Sequence, residues 1–395
     1  MKSNSNQKSL LIILSVALIV VSSTFLISIF ARGYRLDTSS GFQLKATGLL
    51  SVTSKPKLAS VYVNNLLKTV TDDTINLPPG SYHLKITKNG YYPWEKKIQI
   101  KPELVNQVEI QLFRSSTELK PLTEHQIINP AASPDGQKIV YALASSSATK
   151  KGNGLYLMEF TDLPLLMSLN SERQLFQSTT SLDWSNFIFE FSPDSKQILA
   201  TSTKRSMAYL FSLDQNQNVN NLSDISPHLP QIKKEWELSR EKITKNKLTK
   251  IPANFQPFIA TNSAILLLNT SEDKLLYQPA VDGQLPILLP NPPPTQSTQN
   301  QQRNLNRGSF YVYDFKEDTN FLIGSTSLSQ ISWIPYSNNL LFTENNQIRV
   351  CDYDATNYQT IYSDSSSPRI LLPTPDGYRL IISRNTLDSI TLRDR

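Results

Sequence analysis

The sequence predicts a mainly β protein with an N-terminal transmembrane helix, then a small β-sandwich, then a β-propeller. Three observations support this: residues 10–30 carry no charge, residues 47–113 alternate like strands, and one turn motif occurs five times after residue 114. Short β-branched and aromatic runs in a chain rich in Ser, Asn, Gln and Thr are typical of all-β proteins. At 395 residues the chain is long enough for two or three domains.

The positive charge is concentrated in one segment. The formal net charge is +6, and residues 231–250 hold seven Lys or Arg against three Glu, which contributes +4 of that total. Because the remainder is nearly neutral, the charge pattern argues against a nucleic-acid partner. The cations of the segment are Lys233, Lys234, Arg240, Lys242, Lys245, Lys247 and Lys250.

Cys351 is the only cysteine. A single cysteine excludes an intrachain disulfide and a cysteine-based metal site. It lies in a strand-like run at 349–353, so we predict a buried strand residue and not a reactive thiol.

Residues 10–30 are long enough to cross a bilayer. Twenty-one helical residues rise about 1.5 Å each and match a hydrocarbon core of about 30 Å. The alternative is a cleaved signal peptide, for which Val21-Ser22-Ser23 is a weak site. The apolar run continues past that site, which favours an uncleaved anchor between a tail at 1–9 and a tether at 31–46.

The charges that flank this span give little indication of its orientation in the membrane. Lys2 and Lys8 precede it, and Arg32 and Arg35 follow it, so the charge rule is nearly balanced. With only a short polar tail before the span, we expect the bulk of the chain to be extracytoplasmic. A cytoplasm-facing platform is the alternative.

Residues 47–113 predict a compact sandwich. Tyr82, Leu84 and Ile86 share one strand face, which places His83 on the other, solvated face. Pro-Pro-Gly at 78–80 and Asn-Gly at 89–90 are turn signals. Five strands are predicted, containing residues 50–52, 61–63, 82–86, 98–100 and 108–112.

A family resemblance follows from two of these motifs. Leu-Pro-Pro-Gly-Ser-Tyr at 77–82 and Lys-Asn-Gly-Tyr-Tyr-Pro-Trp at 88–94 resemble the PEGA domain, a small surface-associated β-sandwich of bacteria and archaea. The name-giving motif reads Pro-Pro-Gly-Ser here. The resemblance implies a binding or surface role and transfers no catalytic residue. Trp94 ends the motif, and we predict that it packs in the core or linker.

From residue 118 a repeat takes over. The turns begin with Ser133-Pro134-Asp135-Gly136 and return, in variant form, at 192–195, 271–274, 336–339 and 374–377. Pro presets the turn, and Asp, Asn or Gly tolerates its far side. The Asp residues therefore read as turn caps and not as acid–base groups. The residues assigned to structural turns are Pro134, Asp135, Gly136, Pro193, Asp194, Pro375, Asp376 and Gly377, with Pro79 and Gly80 in the sandwich.

Counting strands after each turn predicts five blades in residues 114–395. Four blades have a further outer strand, at 174–176, 219–222, 320–323 and 359–362, and the last lacks one. Residues 118–123 are the candidate for that place, and a borrowed strand would close the ring and remove open sheet edges. The Ser-Pro-Asp-Gly form resembles the TolB-type and WD-like propeller repeats, which serve many functions.

Two insertions interrupt the repeat. Residues 228–256 predict a basic helix with Ile232, Trp236 and Ile243 near one side, packed on the propeller, with a partner-binding helix as the alternative. Residues 285–307 contain Pro292-Pro293-Pro294 followed by Thr, Gln and Asn, which predicts a disordered loop.

The sequence contains no motif for catalysis. There is no Gly-x-Ser-x-Gly, no Gly-rich phosphate loop and no His-Glu-x-x-His, and His83, His125 and His228 are far apart. We therefore predict a non-enzyme without metal or cofactor: a membrane-anchored binding or scaffold protein of the cell envelope that engages a protein or envelope polymer. The alternative enzyme is a hydrolase or lyase whose carboxylates and histidines converge on the propeller channel.

Overall fold

The structure is a computed structural model. It describes residues 4–31, 34–37, 43–143, 152–160, 171–214, 222–253, 255–256, 266–279, 281–293, 297–325 and 327–394. The chain forms two units. The first comprises Met1–Asn89, Pro93–Leu112 and Gln296–Thr298, and the second Gly90–Tyr92, Phe113–Thr295 and Gln299–Arg395.

The first unit contains a long apolar helix and nine strands. Helix α1 spans Asn4–Ala31, and its part Ile12–Ala31 is long and apolar enough to cross a membrane. The basic residues Lys2 and Arg32, which bear on orientation, lie outside the described residues. The strands are β1 (Tyr34–Asp37), β2 (Gln43–Ala46), β3 (Gly48–Lys55), β4 (Ser60–Val63), β5 (Leu66–Val70), β6 (Asp73–Leu77), β7 (Gly80–Thr87), β8 (Trp94–Ile100) and β9 (Val105–Gln111).

Two sheets make the sandwich, in the orders β6-β3-β9 and β5-β4-β7-β8. Leu50, Leu84 and Ile86 are fully buried, as the strand alternation predicts, and Trp94 is 5% exposed at the start of β8. The sequence missed β5 and β6, whose residues are exposed or half-buried except Leu77, because an edge strand lacks the alternation that marks a core-facing one. It also assigned a tether to 31–46, where β1 and β2 pair as a hairpin.

Among its described residues, the second unit contains a two-stranded sheet within an insertion and five antiparallel sheets of three or four strands. We number them in chain order. Sheet 1 is β11 (Ile127–Ala132), β12 (Lys138–Leu143), β13 (Gly154–Glu159) and β14 (Ser171–Gln177); sheet 2 is β15 (Phe187–Phe191), β16 (Gln197–Ser202) and β17 (Ala208–Ser212); sheet 3 is β18 (Leu266–Leu268), β19 (Lys274–Tyr277), β22 (Phe310–Asp314) and β23 (Thr319–Gly324); sheet 4 is β24 (Ser329–Trp333), β25 (Asn339–Glu344), β26 (Gln347–Asp352) and β27 (Gln359–Ser363); sheet 5 is β28 (Ile370–Pro373), β29 (Arg379–Ser383), β30 (Leu387–Thr391) and β10 (Leu119–Pro121).

Sheet 5 is closed by the first strand of the unit. Strand β10 pairs with β30, with Leu119 opposite Ile390, and the amide of Leu122 donates to the carbonyl of Leu387 at 2.8 Å. The closure predicted for 118–123 is therefore confirmed. The count of five blades stays a prediction, because 215–221 and 257–265 lie outside the described residues, and with them most of the outer strand predicted at 219–222.

The five turns share one backbone hydrogen bond, from the amide of the first turn residue to the carbonyl five residues later. It joins Ser133 to Lys138, Ser192 to Gln197, Asn269 to Lys274, Ile334 to Asn339, and Thr374 to Arg379. The third and fourth copies therefore begin two residues earlier than the predicted 271 and 336. Ser271 and Tyr336 were misplaced because their copies lack the Ser-Pro-Asp sequence, and only the strand pairing sets the register.

Neighbouring sheets pack through alternate strand faces. Phe189 and Phe211 of sheet 2 pack against sheet 1, and sheet 5 packs against both sheet 4 and sheet 1. The turns also meet: the amide of Asp135 donates to the hydroxyl of Ser195 at 3.1 Å. The first strands of the sheets lie innermost, since β11 contacts both β15 and β28, and β18 contacts β24.

The basic insertion lies between sheets 2 and 3. Helix α2 (Leu229–Leu248) packs Trp236 against Leu199 and Ala208, on the face of sheet 2 opposite Phe189. Beyond the helix, Ile251 and Phe255 pack on sheet 3. The predicted packing holds for the first half of the helix.

The second half of α2 is mostly exposed, and its last residue, Leu248, packs on sheet 3. Ile243, predicted to share the packed side, is 36% exposed.

The predicted disordered loop is anchored at both ends. Strands β20 (Gly283–Gln284) and β21 (Asn304–Leu305) pair, and Leu285 and Leu305 are buried. The Arg303 guanidinium donates to the carbonyl of Pro286 at 2.6 Å and lies 3.1 Å from Asp318. These contacts of Arg303 join residues that are far apart in sequence, so the composition of the segment did not indicate them. Residues 294–296 lie outside the described residues.

Candidate functional site

The inner strands do not assemble the catalytic cluster that the enzyme alternative requires. Among the described residues of β11, β15, β18, β24 and β28, Glu190 is the sole carboxylate and there is no histidine. Glu190 is engaged, because Arg240 Nη2 of α2 lies 2.5 Å from its Oε1. Across the described residues no group of three or more His, Cys, Asp and Glu is arranged to hold a metal ion.

The three histidines lie apart. His83 has a 46% exposed side chain whose Nε2 is 3.5 Å from Glu95 Oε2. His125 is half-buried after β10, and His228 is exposed just before α2. None of them joins a described catalytic or ligand set.

The turn aspartates cap their own backbones. Asp194 accepts hydrogen bonds from the hydroxyl of Ser192 at 2.6 Å and the amide of Lys196 at 3.2 Å, and the Ser192 hydroxyl lowers the pKa of Asp194. Burial alone would raise the pKa of Asp135, but its bonds to Ser133 and the amide of Gln137 lower it overall.

The other turn residues play equivalent parts. Asp376 accepts from Thr374 Oγ1 at 2.5 Å, while Gly136 and Gly377 have positive φ values of 71° and 66°. Pro134 is exposed, and Pro193 and Pro375 are half-buried. In the sandwich, exposed Pro79 and half-buried Gly80 precede Tyr82, whose hydroxyl donates to the carbonyl of Pro78 at 2.9 Å.

A polar pocket of about 420 Å³ lies at the opposite ends of the strands from these turns. The connection from β27 to β28 (364–369) forms one wall, and the β29–β30 turn (384–386) forms the other. Pairing of Ile370 with Ser383 brings the two segments together, and the amide of Arg369 donates to the carbonyl of Ser383 at 2.8 Å. Strand pairing thus makes the pocket.

An ion pair joins the two walls. Arg384 Nη1 lies 2.7 Å from Asp364 Oδ2, Nη2 lies 3.3 Å from Asp388 Oδ2, and the guanidinium stands 5.9 Å over the Tyr362 ring. The hydrogen bond to Asp364 raises the pKa of Arg384, and the same bond lowers the pKa of Asp364. Arg384 is therefore committed to its carboxylates and holds the two walls together.

Three groups in the pocket remain available. The guanidinium of exposed Arg369, the hydroxyl of Ser366 and the amide of Asn385 form no side-chain hydrogen bond or ion pair with any described residue. Hydroxyl and amide donors beside an uncommitted guanidinium suit an anionic group, because Arg binds carboxylate and phosphate in a two-pronged geometry.

The sequence did not indicate this pocket. Asp-Ser-Ser-Ser-Pro-Arg at 364–369 has ordinary loop composition, and its partner segment begins fifteen residues after Arg369. No local motif joins them. The only residue in the sequence that could have indicated the pocket is Arg369, and an arginine on an exposed loop is too common to predict a binding site.

Comparisons place the sandwich in a family. Residues 47–116 match the PEGA domain. No curated protein resembles the chain closely enough to count as a match.

The solved structures that match the chain have low sequence identity and low TM-scores. TolB from Acinetobacter baumannii is 14% identical over 78% of this chain and 59% of that chain, with a TM-score of 0.21. A putative TolB from Agrobacterium tumefaciens is 9% identical over 86% and 99%, with a TM-score of 0.20. An oligogalacturonate lyase in complex with manganese is 11% identical over 67% and 60%, with a TM-score of 0.20.

The chain thus spans about 60% of the length of two of these structures. TM-scores near 0.2 do not establish a shared fold, and the propeller assignment rests on the five sheets and on the pairing of β10 with β30. The chain carries a PEGA domain at residues 47–116, preceded by an apolar helix and followed by a β-propeller.

Proposed function

We propose that the chain is a single-span, membrane-anchored binding or scaffold protein of the cell envelope. Its propeller takes an anionic group of a partner protein or envelope polymer into the pocket between 364–369 and 384–386. The observation that carries the proposal is the uncommitted set of Arg369, Ser366 and Asn385, held beside a rigid Arg384–Asp364 pair.

The helix and the PEGA domain support the anchored, extracytoplasmic part of the proposal. Ile12–Ala31 has the length and composition of a span, and all its described side chains are exposed except a half-buried Ile29. Apolar side chains that no protein surface covers suit a lipid environment.

The binding role is favoured over a hydrolase or lyase by the chemistry of the pocket. General acid–base catalysis needs a positioned group that exchanges a proton near neutral pH. The hydrogen bond from Arg384 lowers the pKa of Asp364 and keeps this carboxylate ionised, so Asp364 does not serve that purpose.

Binding is tested on the full chain in detergent by isothermal titration. The probes are inorganic phosphate, a glutamate-rich peptide and poly(glycerol phosphate), with neutral dextran as the uncharged control. We expect at least one anionic probe to bind, and Arg369→Gln to weaken it roughly ten- to hundredfold, since a hydrogen bond to a charged group contributes about 1.5–3 kcal/mol. The peptide and the phosphate polymer separate the two partner classes.

Arg205→Gln is the matched control. Arg205 is exposed in the β16–β17 turn of sheet 2, the counterpart of the β29–β30 turn of sheet 5. Equal weakening by both variants would mean non-specific charge, and no binding of any anionic probe would remove the pocket from the proposal.

The membrane orientation has a separate test. We expect a reporter fused after Arg395 to be active when it requires the extracytoplasmic side. Activity of a reporter that functions only in the cytoplasm would instead support the cytoplasm-facing platform.

A further inference from the structure

Helix α2 is held rigidly while much of it projects into solvent. Trp236 is 7% exposed and packs on Leu199 and Ala208, and Arg240 pairs with Glu190. At its far end, Lys250 pairs with Glu272. The helix is thereby tied at its middle and near its end, so its outward face has a defined direction.

Most cations of residues 231–250 form no ion pair with a described carboxylate. Of the seven cations, Arg240 and Lys250 are paired with glutamates. The other five are all lysines, and none of them forms an ion pair with a described carboxylate. Each of them is exposed. They are Lys233, Lys234, Lys242, Lys245 and Lys247. These five lysines lie within fifteen residues that also contain Glu235, Glu237 and Glu241, and the segment keeps a net positive charge.

Three of these lysines share one face with an exposed leucine. Lys234 and Lys242 stand four residues before and after Leu238, and Lys245 stands seven after it, which are neighbouring positions on a helix. Leu238 is 56% exposed, whereas Trp236, two residues earlier and about 200° around the helix, is buried. We define Lys234, Leu238, Lys242 and Lys245 as the outward face of α2.

We propose that this outward face binds an anionic phospholipid surface. Lysines at its edges would contact phosphate headgroups while their methylene stems lie along the interface, and Leu238 would enter the acyl boundary. Charge complementarity selects an anionic partner, and the apolar Leu238 at the centre of the face selects a lipid over a soluble polyanion. The inference uses the proposed membrane anchor only to bring the chain to a bilayer.

The buried cysteine makes a clean experiment available. Cys351 is fully buried, and burial raises the pKa of its thiol, so an introduced exposed cysteine is the one that labels. The full chain carrying Leu238→Cys is labelled with a fluorophore and reconstituted in nanodiscs of phosphatidylcholine with 30% phosphatidylglycerol, or phosphatidylcholine alone, both containing brominated lipid. Bromine quenches only a fluorophore that enters the bilayer.

Thr244→Cys is the matched control. Thr244 is exposed on the same helix and lies about 120° around it from position 238. We expect quenching at position 238 in the anionic nanodiscs to exceed that at 244 severalfold. It should fall to the level of position 244 in pure phosphatidylcholine, in 0.5 M salt, and when Lys234, Lys242 and Lys245 are all changed to Gln.

Two results would overturn the inference. One is equal quenching at the two positions in anionic nanodiscs, and the other is quenching at 238 that persists after the three Lys→Gln changes. Failure of the membrane anchor is distinguishable, since the chain would then not reconstitute into nanodiscs at all. Because all three lysines are exposed, the Lys→Gln chain is expected to keep its melting temperature, which is measured alongside.

Discussion

Arg240 of α2 and Glu190 of β15 form an ion pair across fifty residues of sequence, with Nη2 2.5 Å from Oε1. The pair joins the insertion to an innermost strand, and it engages the one carboxylate that the described inner strands carry. Both side chains are about half exposed, so water screens the pair and its contribution to stability is small, about 0–1 kcal/mol. The insertion is held mainly by apolar packing.

Trp236→Ala is therefore expected to destabilise the second unit by about 3–5 kcal/mol, the usual cost of emptying a buried aromatic site. Its side chain packs on Leu199 and Ala208. The measurement is urea unfolding followed by fluorescence. Leu238→Ala, two residues away and exposed, serves as control and should change stability by less than about 0.5 kcal/mol. Equal effects would contradict the packing described for α2.

A chain that begins at Glu124 should be much less stable than one that begins at Ser115. The first lacks β10, which pairs with β30 and closes sheet 5. Loss of that strand opens a sheet edge between the two ends of the unit, so the whole unit should weaken. Melting temperatures of the two chains decide the matter, and coincident values would show that β10 does not close the ring.

Asp194 should contribute to stability in a pH-dependent manner. Its folded-state pKa lies below the ordinary 3.8, chiefly through the hydroxyl of Ser192. A carboxylate with a lowered pKa stabilises the fold above its unfolded pKa, and the contribution is lost as the pH falls through the folded value. Wild type should thus have a higher melting temperature than Asp194→Asn from pH 7 to about 5. The difference between the two melting temperatures should disappear below pH 3.8.

Asp214→Asn is the control for that titration. Asp214 is exposed at the end of sheet 2 and its side chain has no described partner. Its variant should follow wild type at every pH. A gap for Asp194→Asn that stays constant down to pH 2 would point to a steric effect and not to the ionised cap.

Arg303→Gln should release the loop between β20 and β21. The guanidinium bonds the carbonyl of Pro286 and pairs with Asp318, whose carboxylate also accepts from the amides of Leu288 and Leu289. Thermolysin, which does not require arginine, is expected to cut the variant several times faster within 285–305. Mass spectrometry of the fragments locates the cuts.

Arg307→Gln controls for charge in the same segment. Arg307 is exposed, and its side chain forms no bond with a described residue. It should be cut at the wild-type rate. If thermolysin cuts the wild type as fast as Arg303→Gln, the result would support the disordered loop that composition predicts.

The sequence by itself determined the features that depend on neighbours along the chain. The uncharged apolar run forms α1, the alternation of apolar and polar residues forms β7, and Ser133-Pro134-Asp135-Gly136 forms a capped turn. Each of these features depends on residues that are close together in sequence. Counting such units also predicted the return of β10 to sheet 5.

Only the tertiary structure decided what depends on distant partners. It set the third and fourth turns at Asn269 and Ile334, placed α2 between sheets 2 and 3, and anchored Arg303. It also brought 364–369 to 384–386, which creates the pocket. Strand register and sheet packing select among many equivalent local patterns, and the free energy that selects them comes from burial and hydrogen bonds between residues far apart in sequence.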